Sequence, residues 1–357
     1  MFFYYSIWLI VSFLALPVTF GKYKKLLIYS IYSLLIIFVG LRFEVGGDWG
    51  NYIYKYNEFK YIRNFDDFMA LSEPGYGFLN ILSLMLNIRD TVLVNFVCSV
   101  IFFTCFYKFS KKINNYFFPL FICFTYTIIV VCTGYTRQSV AIGLSLLAFF
   151  SLMEKKTLYF VFYIFLGALF HKSILVFLIL FPFGNKLLLS RSALFIYLYE
   201  LISLFFITIM LYYASISEAN SYVDVNSEMT SGGVYMRLLM HIVPIFYYLY
   251  YRPSFKKEIE NYKLIDFFIL VILYVFILAL FFSTLADRLN LFLVFFDLFV
   301  LTFIFNRINL NSKIFMWLVI FFSNTIVLTL WLNFGKWTQI SWIPYRNYVF
   351  EFLMSMF

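Results

Sequence analysis

An all-α, polytopic membrane protein is the fold class this sequence predicts, on three observations. Of its 357 residues, 64% are hydrophobic and 13% charged, where a soluble domain carries about 25% charge. Apolar runs recur along almost the whole chain, and most match the roughly 17–25 residues a helix needs to cross a hydrocarbon core of about 30 Å. These runs are apolar on all sides, whereas a membrane β-strand alternates apolar and polar at every second residue.

From the N-terminus the apolar runs fall at 2–20, 24–41, 91–109, 116–133, 137–153, 156–170, 172–184, 190–213, 236–251, 263–284, 288–306 and 314–333, which makes about twelve spans. The first run has no basic residues before it and KYKK (22–25) after it, so it reads as a retained helix rather than a cleaved signal peptide. One more apolar stretch, YGFLNILSLMLNI (76–88), decides the topology. Cys98, Cys105, Cys123 and Cys132 all lie inside apolar runs and form no CxxC pair. They read as small buried hydrophobes, not as redox or metal groups.

Basic residues cluster in KYKK (22–25), KFSKK (108–112), EKK (154–156), the Lys186/Arg191 loop, RPSFKKEIENYK (252–263) and the Arg307/Lys313 loop. The positive-inside rule puts such clusters in the cytoplasm. All six share that side only if 76–88 is re-entrant or interfacial, and both termini then face outward. The chain reads as a single integral membrane domain over 1–357 with extracytoplasmic segments near 42–90, 214–235 and 334–357. The net charge of +9 invites nucleic acid as a partner. Its distribution argues otherwise, because no inner loop is long enough to form a nucleic-acid domain.

Arginines and carboxylates gather at the outer ends of the predicted helices. GLRFEVGGDWG (40–50) supplies Arg42, Glu44 and Asp48, with glycines at 46, 47 and 50 that permit a tight turn. SEPGYG (72–77) supplies Glu73, TGYTRQS (133–139) Arg137 and Gln138, and FHKS (170–173) His171. SGGVYMRLLMH (231–241) supplies Arg237 and His241, TLADRLN (284–290) Asp287 and Arg288, and WIPYRNY (342–348) Tyr345 and Arg346. Each has an ordinary explanation: arginines snorkel, carboxylates cap helices, tyrosines anchor at the interface. His171 is as well read as a solvated helix-end residue as a base, and His241 as a packing residue. Glu200 and Asp297 lie within spans, where a charge must be paired, protonated or part of a polar pathway. As a set, the arginines suit bidentate binding of phosphate, which lysine does not offer. P-loop and HExxH patterns are absent, so the sequence calls for no nucleotide, metal or other cofactor.

The motifs RFEVGGDWGNY (42–52), EPGYGFL (73–79), TRQSVAIGL (136–144), LFHKSIL (169–175), ADRLNLF (286–292) and IPYRNY (343–348) together resemble the EpsG-like, Wzy-type polysaccharide polymerases. The resemblance implies a GT-C-like glycosyltransferase architecture with its active site at the outer interface of a bacterial cytoplasmic (inner) membrane. It implies a product such as O-antigen, capsule or exopolysaccharide. The substrate it implies is an oligosaccharide on undecaprenyl diphosphate, transferred to a hydroxyl of the next lipid-linked repeat, with membrane lipid and a chain-length regulator protein as partners. Arg137, His171 and Arg288 match family motif positions. On that chemistry arginines stabilise the leaving diphosphate, and Asp48 or His171 takes the acceptor proton. A short outer loop carrying a carboxylate after an early helix is a recurrent GT-C feature, which favours Asp48. Arg42 either holds Asp48 ionised or binds phosphate itself. Glu73, Gln138, Arg237, Asp287, Tyr345 and Arg346 complete the expected substrate-binding set. The 30 tyrosines and 6 tryptophans offer stacking surfaces for sugars.

Other classes are an O-antigen ligase-type transferase, which sequence separates poorly from a polymerase, and a lipid-linked oligosaccharide transporter or flippase. A transporter should show internal repeats and helices broken at midspan, and the sequence shows no two-fold pattern. A non-catalytic scaffold has no need of the outer arginines. The topology is directly testable. A cysteine placed at Lys111 is expected to stay unlabelled by an impermeant reagent applied to intact cells. Labelling from outside would place 76–88 across the membrane.

Overall fold

The computed structural model describes residues 1–18, 20–184, 193–216, 231 and 233–354. The Lys186/Arg191 loop, Gly232, and Glu218, Asp224 and Glu228 of the 214–235 segment lie outside the described residues. The described residues are helical, and the only strand-type pairing among them is an isolated bridge between Arg42 and Asn347. The α-helices are α1 (Phe2–Leu14), α2 (Lys24–Gly40), α3 (Trp49–Glu58), α4 (Phe65–Leu71), α5 (Pro74–Met85), α6 (Val92–Lys112) and α7 (Phe118–Cys123), which continues as a π-helix (Phe124–Cys132). After them come α8 (Thr136–Met153), α9 (Thr157–Ala168), a 3₁₀ helix (Lys172–Gly184), α10 (Ala193–Ile216), α11 (Val234–Leu239) and α12 (Ile242–Glu258). The last are α13 (Tyr262–Ala279), α14 (Ser283–Phe305), α15 (Leu310–Phe334), α16 (Lys336–Ser341) and α17 (Tyr348–Met354).

Each predicted apolar run meets a helix, but the helices differ in length. Six among the described residues are long and apolar enough to cross a membrane: 21–40, α6, α8, α13, α14 and α15. The apolar helices α1, α9, the π-helical run and the 3₁₀ helix are shorter. The twelve residues of α5 rise only about 18 Å, well short of a hydrocarbon core of about 30 Å. The helices differ widely in how much of their apolar surface the protein covers. The apolar stretch of α8 is 89% buried and that of α14 83%, against 17% for α15. A helix as apolar as α15 with so little protein cover presents its surface to lipid.

The chain divides into two compact units, Met1–Leu146 with Phe165–Lys172 and Phe305–Phe357, and Leu147–Ile164 with Ser173–Ile304. An aromatic stack holds the first. Trp8 of α1 lies parallel to Phe121 of α7 at 5.1 Å, and Phe121 to Trp317 of α15 at 5.7 Å. Both indoles also find partners, Trp8 Nε1 donating to Thr325 Oγ1 at 2.9 Å and Trp317 Nε1 to the Ser12 carbonyl at 3.0 Å, as buried indoles require. Helices α2 and α6 pack closely: a Cβ on Gly40 would stand 3.0 Å from Phe96 Cα, and Ser99 and Tyr32 tie the pair by hydroxyl hydrogen bonds. In the second unit Phe149, Phe268, Phe295 and Phe299 pack edge to face or tilted. The buried Asn261 there donates to the carbonyls of Leu152 and Phe183, each at 2.9 Å.

The 41–48 turn is built from both ends of the chain. Tyr348 N donates to the Leu41 carbonyl at 3.0 Å, and Gly46 N to the Ser341 carbonyl at 2.7 Å. Gly46 has φ +113°, and a Cβ there would collide with the Thr133 carbonyl. Gly47 faces the Trp342 ring, whereas Gly50 lies inside α3 with nothing within 4 Å of a built Cβ. Of the three glycines, then, Gly46 and Gly47 are needed by the turn and Gly50 is not. Gly46→Ala should lower stability by about 1–3 kcal/mol or more through backbone strain and collision, read as thermal unfolding in detergent. Gly50→Ala should be neutral or stabilising by up to about 1 kcal/mol.

Candidate functional site

In the first unit, polar side chains meet where α3, α5, α8 and the 170–172 turn approach one another. Glu73 precedes Pro74, which opens α5 and by its ring geometry keeps Glu73 extended and out of the helix. Glu73 Oε2 accepts from Arg137 Nη1 at 2.7 Å, and Glu73 Oε1 stands 3.5 Å from His171 Nδ1. The Gly75 amide donates to the Leu169 carbonyl at 2.8 Å, which fixes the His171 turn against α5. A Cβ on Gly75 would come 2.9 Å from that same oxygen.

The Arg137 guanidinium lies 5.9 Å from the Tyr52 ring centre and 5.7 Å from that of Tyr76, close enough for cation–π attraction to both. Burial by itself would raise the Glu73 carboxyl; its contact with His171 and the Arg137 charge outweigh that and hold it at about 2. Glu73 is therefore an ionised carboxylate at any physiological pH and is unsuited to proton transfer there. It can orient His171 and Arg137. One arm of the Arg137 fork is given to Glu73, and the side chain keeps 23% exposure.

Asp48 is half-buried at the start of α3 and forms no side-chain cap there. It shares a helix face with Tyr52 and Lys55. Burial first, then the nearby Asp48 charge, raise the Tyr52 phenol above its ordinary value. Burial and then the Arg137 charge lower the Lys55 ammonium. Two carboxylates, an arginine, a lysine, a histidine and two tyrosines thus face one another. Tyr52, Lys55 and Tyr76 were not among the sequence candidates. The i, i+4, i+7 spacing of Asp48, Tyr52 and Lys55 is the signal that marks the first two.

Arg42 does not join this group. It is 1% exposed, and its guanidinium donates to carbonyls of Thr133 (2.8 Å), Val45 (3.3 Å) and Val39 (2.5 Å) and to Thr136 Oγ1 (2.8 Å). The Arg42 fork is thus turned into the protein, toward four oxygen acceptors. Tyr345 is likewise buried and stacked on Phe38 at 4.6 Å, with its hydroxyl donating to the Phe38 carbonyl. Arg346 pairs with Glu44 at the surface, and Gln138 is buried in α8.

The remaining candidates lie in the second unit. Arg237 Nε donates to Asp287 Oδ1 at 2.6 Å, and Ser231 Oγ bridges the two at 2.6 and 3.0 Å. Arg288, next to Asp287 near the start of α14, is half-buried. His241 stands 2.8 Å from Asp297 Oδ2 and 2.6 Å from Asn290 Oδ1, so the carboxylate within α14 is paired. Glu200 is fully buried and neither of its oxygens has a hydrogen-bond partner among the described residues.

The described residues thus form a polytopic helical chain that carries a charged, aromatic-walled cluster at helix ends. Comparison with known protein families matches residues 25–347 to the EpsG family, and the chain belongs to that family, a Wzy-like family of polysaccharide polymerases. No curated protein and no solved structure matches it.

Two outcomes follow. Asn caps helices nearly as well as Asp, so Asp48→Asn would be harmless if Asp48 only began α3. With no cap bond to keep, the substitution should instead lower polymer yield strongly at unchanged protein level. For Glu73 the folded value lies below the ordinary 4.5, so its ionisation stabilises fully above about 4.5 and that contribution is lost as pH falls toward about 2. The melting-temperature gap between wild type and Glu73→Gln should stay constant from pH 8 to about 5 and shrink below it.

Proposed function

We propose that this chain polymerises lipid-linked oligosaccharide repeats at the outer face of a bacterial cytoplasmic membrane, as a GT-C-type glycosyltransferase with both termini outside. The donor is a glycan on undecaprenyl diphosphate and the acceptor a hydroxyl of the next lipid-linked repeat. The bond between the sugar anomeric carbon and the diphosphate oxygen breaks, leaving its electron pair on the diphosphate. The acceptor oxygen bonds that carbon and loses its proton to a base. The observation that carries this reading is the Glu73–Arg137–His171 group, in a chain that belongs to a polymerase family.

Each residue has a distinct task in this reaction. Arg137 turns its remaining N–H groups to the leaving diphosphate, where negative charge builds. His171, oriented by the permanently ionised Glu73, takes the acceptor proton. Asp48 and Lys55 set the local field, and Tyr52 and Tyr76 wall the arginine in. In the second unit, Arg288 is by its motif a further candidate for binding phosphate; Asp287 precedes it in sequence and pairs with Arg237.

A deletion strain complemented with variants, followed by a gel of surface polysaccharide, tests the reading. His171→Ala should cut polymer formation by about 10²-fold or more, the usual scale for a lost general base. Arg137→Lys should also fail, since lysine keeps charge but loses the fork. Both should leave single repeats in place of long polymer at normal protein levels. Full-length polymer from both variants would remove these residues from the reaction. Bare core with accumulated lipid-linked polymer would mean a ligase instead.

A further inference from the structure

We propose that a cavity at the other ends of α2 and α6, away from the Arg137 group, holds the phosphate headgroup of an anionic membrane lipid. This inference does not rest on the polymerase reading. The cavity lies within the first unit and measures about 470 Å³, inside the roughly 300–1,000 Å³ range of small-ligand sites. Three connections enclose it: the one between α1 and α2, the one between α6 and α7, and the one between α14 and α15. The Arg137 group sits beyond the C-terminal end of α2 and the N-terminal end of α6. The cavity sits beyond the opposite ends, about 25–32 Å away along these helices by their 17 and 21 residues.

The lining has one sign of charge. Lys24 and Lys313 are its charged residues, and no carboxylate lines it among the described residues. Aromatic rings in the same wall carry the lysine stems. Lys24 Nζ lies 6.0 Å from the Tyr116 ring centre, and Lys313 Nζ lies 5.7 Å from that of Phe305. Two of the three asparagines of the wall, Asn115 and Asn306, are occupied with one another and with backbone. Asn115 Nδ2 donates to Asn306 Oδ1 at 3.0 Å, Asn306 Nδ2 to the Ile113 carbonyl at 2.9 Å, and Asn115 Oδ1 accepts from the Phe118 amide at 3.0 Å. These bonds tie the Asn115 and Asn306 side chains into the wall, and the charge in the lining comes from the two ammonium groups. The rest of the wall is apolar, including Leu14, Ala15, Pro17 and Phe117. Two cations above an apolar floor fit a phosphodiester with the first carbons of its acyl chains. Basic recesses between membrane helices bind anionic headgroups on this principle. A free phosphate shares the charge and has no use for the floor.

The test uses the full-length purified protein. Native mass spectrometry compares retention of phosphatidylglycerol and phosphatidylcholine with identical acyl chains, and thermal unfolding compares phosphatidylglycerol with inorganic phosphate. Wild type should prefer phosphatidylglycerol by about fivefold for each contributing lysine. The Lys24→Ala/Lys313→Ala variant should lose the preference. Lys22→Ala/Lys25→Ala, which alters neighbouring lysines outside the lining, should keep it. If the double variant fails to fold, Lys24→Gln and Lys313→Gln, measured singly, should each remove part of it. Equal retention of the two lipids by wild type would overturn the proposal, as would an unchanged preference in the lysine variants, which would leave Lys24 and Lys313 as topology signals only. Stabilisation by inorganic phosphate as large as by phosphatidylglycerol would overturn the lipid assignment in favour of a soluble anion.

Discussion

A guanidinium buried with no carboxylate partner among the described residues holds the outer part of the first unit in place. Removing an arginine from water is costly unless other dipoles replace the lost hydration. Arg42 meets that need with the Val39 carbonyl at the end of α2, the Val45 carbonyl in the turn, and the Thr133 carbonyl between the π-helix and α8. The negative end of the α2 dipole lies at the same place. Thr136 Oγ1, which accepts from Arg42, donates in turn to Asn95 Oδ1 of α6 at 3.1 Å. One side chain thus joins the end of α2, the glycine turn, the start of α8 and the start of α6. Asp48 leaves that turn, and Arg137 follows Thr136 directly, so Arg42 sets where two members of the candidate site begin.

Around that frame the charges divide by what surrounds them. Glu73 is held ionised by His171 and Arg137 in spite of its burial, which makes it a fixed charge that orients its neighbours. Arg137 keeps partial exposure and a partly engaged fork, the state an anion ligand requires. The Arg237–Ser231–Asp287 and His241–Asn290–Asp297 groups in the second unit are closed sets of short hydrogen bonds. A polar group in a membrane protein that is already paired contributes mainly to packing. Glu200 in that unit differs from them: neither of its oxygens has a hydrogen-bond partner among the described residues.

Much of this was legible in the sequence for simple reasons. Membrane helices must satisfy their backbone internally, so long apolar runs announce them, and the class followed from composition. Motif residues at helix ends led to Glu73, Arg137 and His171, which come within reach of one another from distant parts of the chain. Span count was less legible. Hydropathy marks apolar length and is blind to whether α1, α9 or the 3₁₀ helix is shortened by a turn. The direction of the Arg42 and Tyr345 side chains was not legible, because a motif does not say whether a side chain points to solvent or back into the frame. That direction is set by the C-terminal segment pairing beside the 41–43 backbone, a contact across nearly the whole chain. Lys55 was passed over as one lysine in a polar stretch, although its helical spacing from Asp48 was readable.

The claim that Arg42 is the frame of this region, and no ligand, is the one on which the placement of Asp48 and Arg137 rests. Thermal unfolding of purified Arg42→Lys in detergent tests it directly. Lysine has no planar fork and cannot reach three carbonyls and a hydroxyl together. Loss of hydrogen bonds to a buried charge costs about 1.5–3 kcal/mol each. The account predicts a large drop in melting temperature, or failure to fold, with the lost activity tracking the lost protein. A variant that melts like wild type yet makes no polymer would show that Arg42 meets the substrate, and would contradict the account.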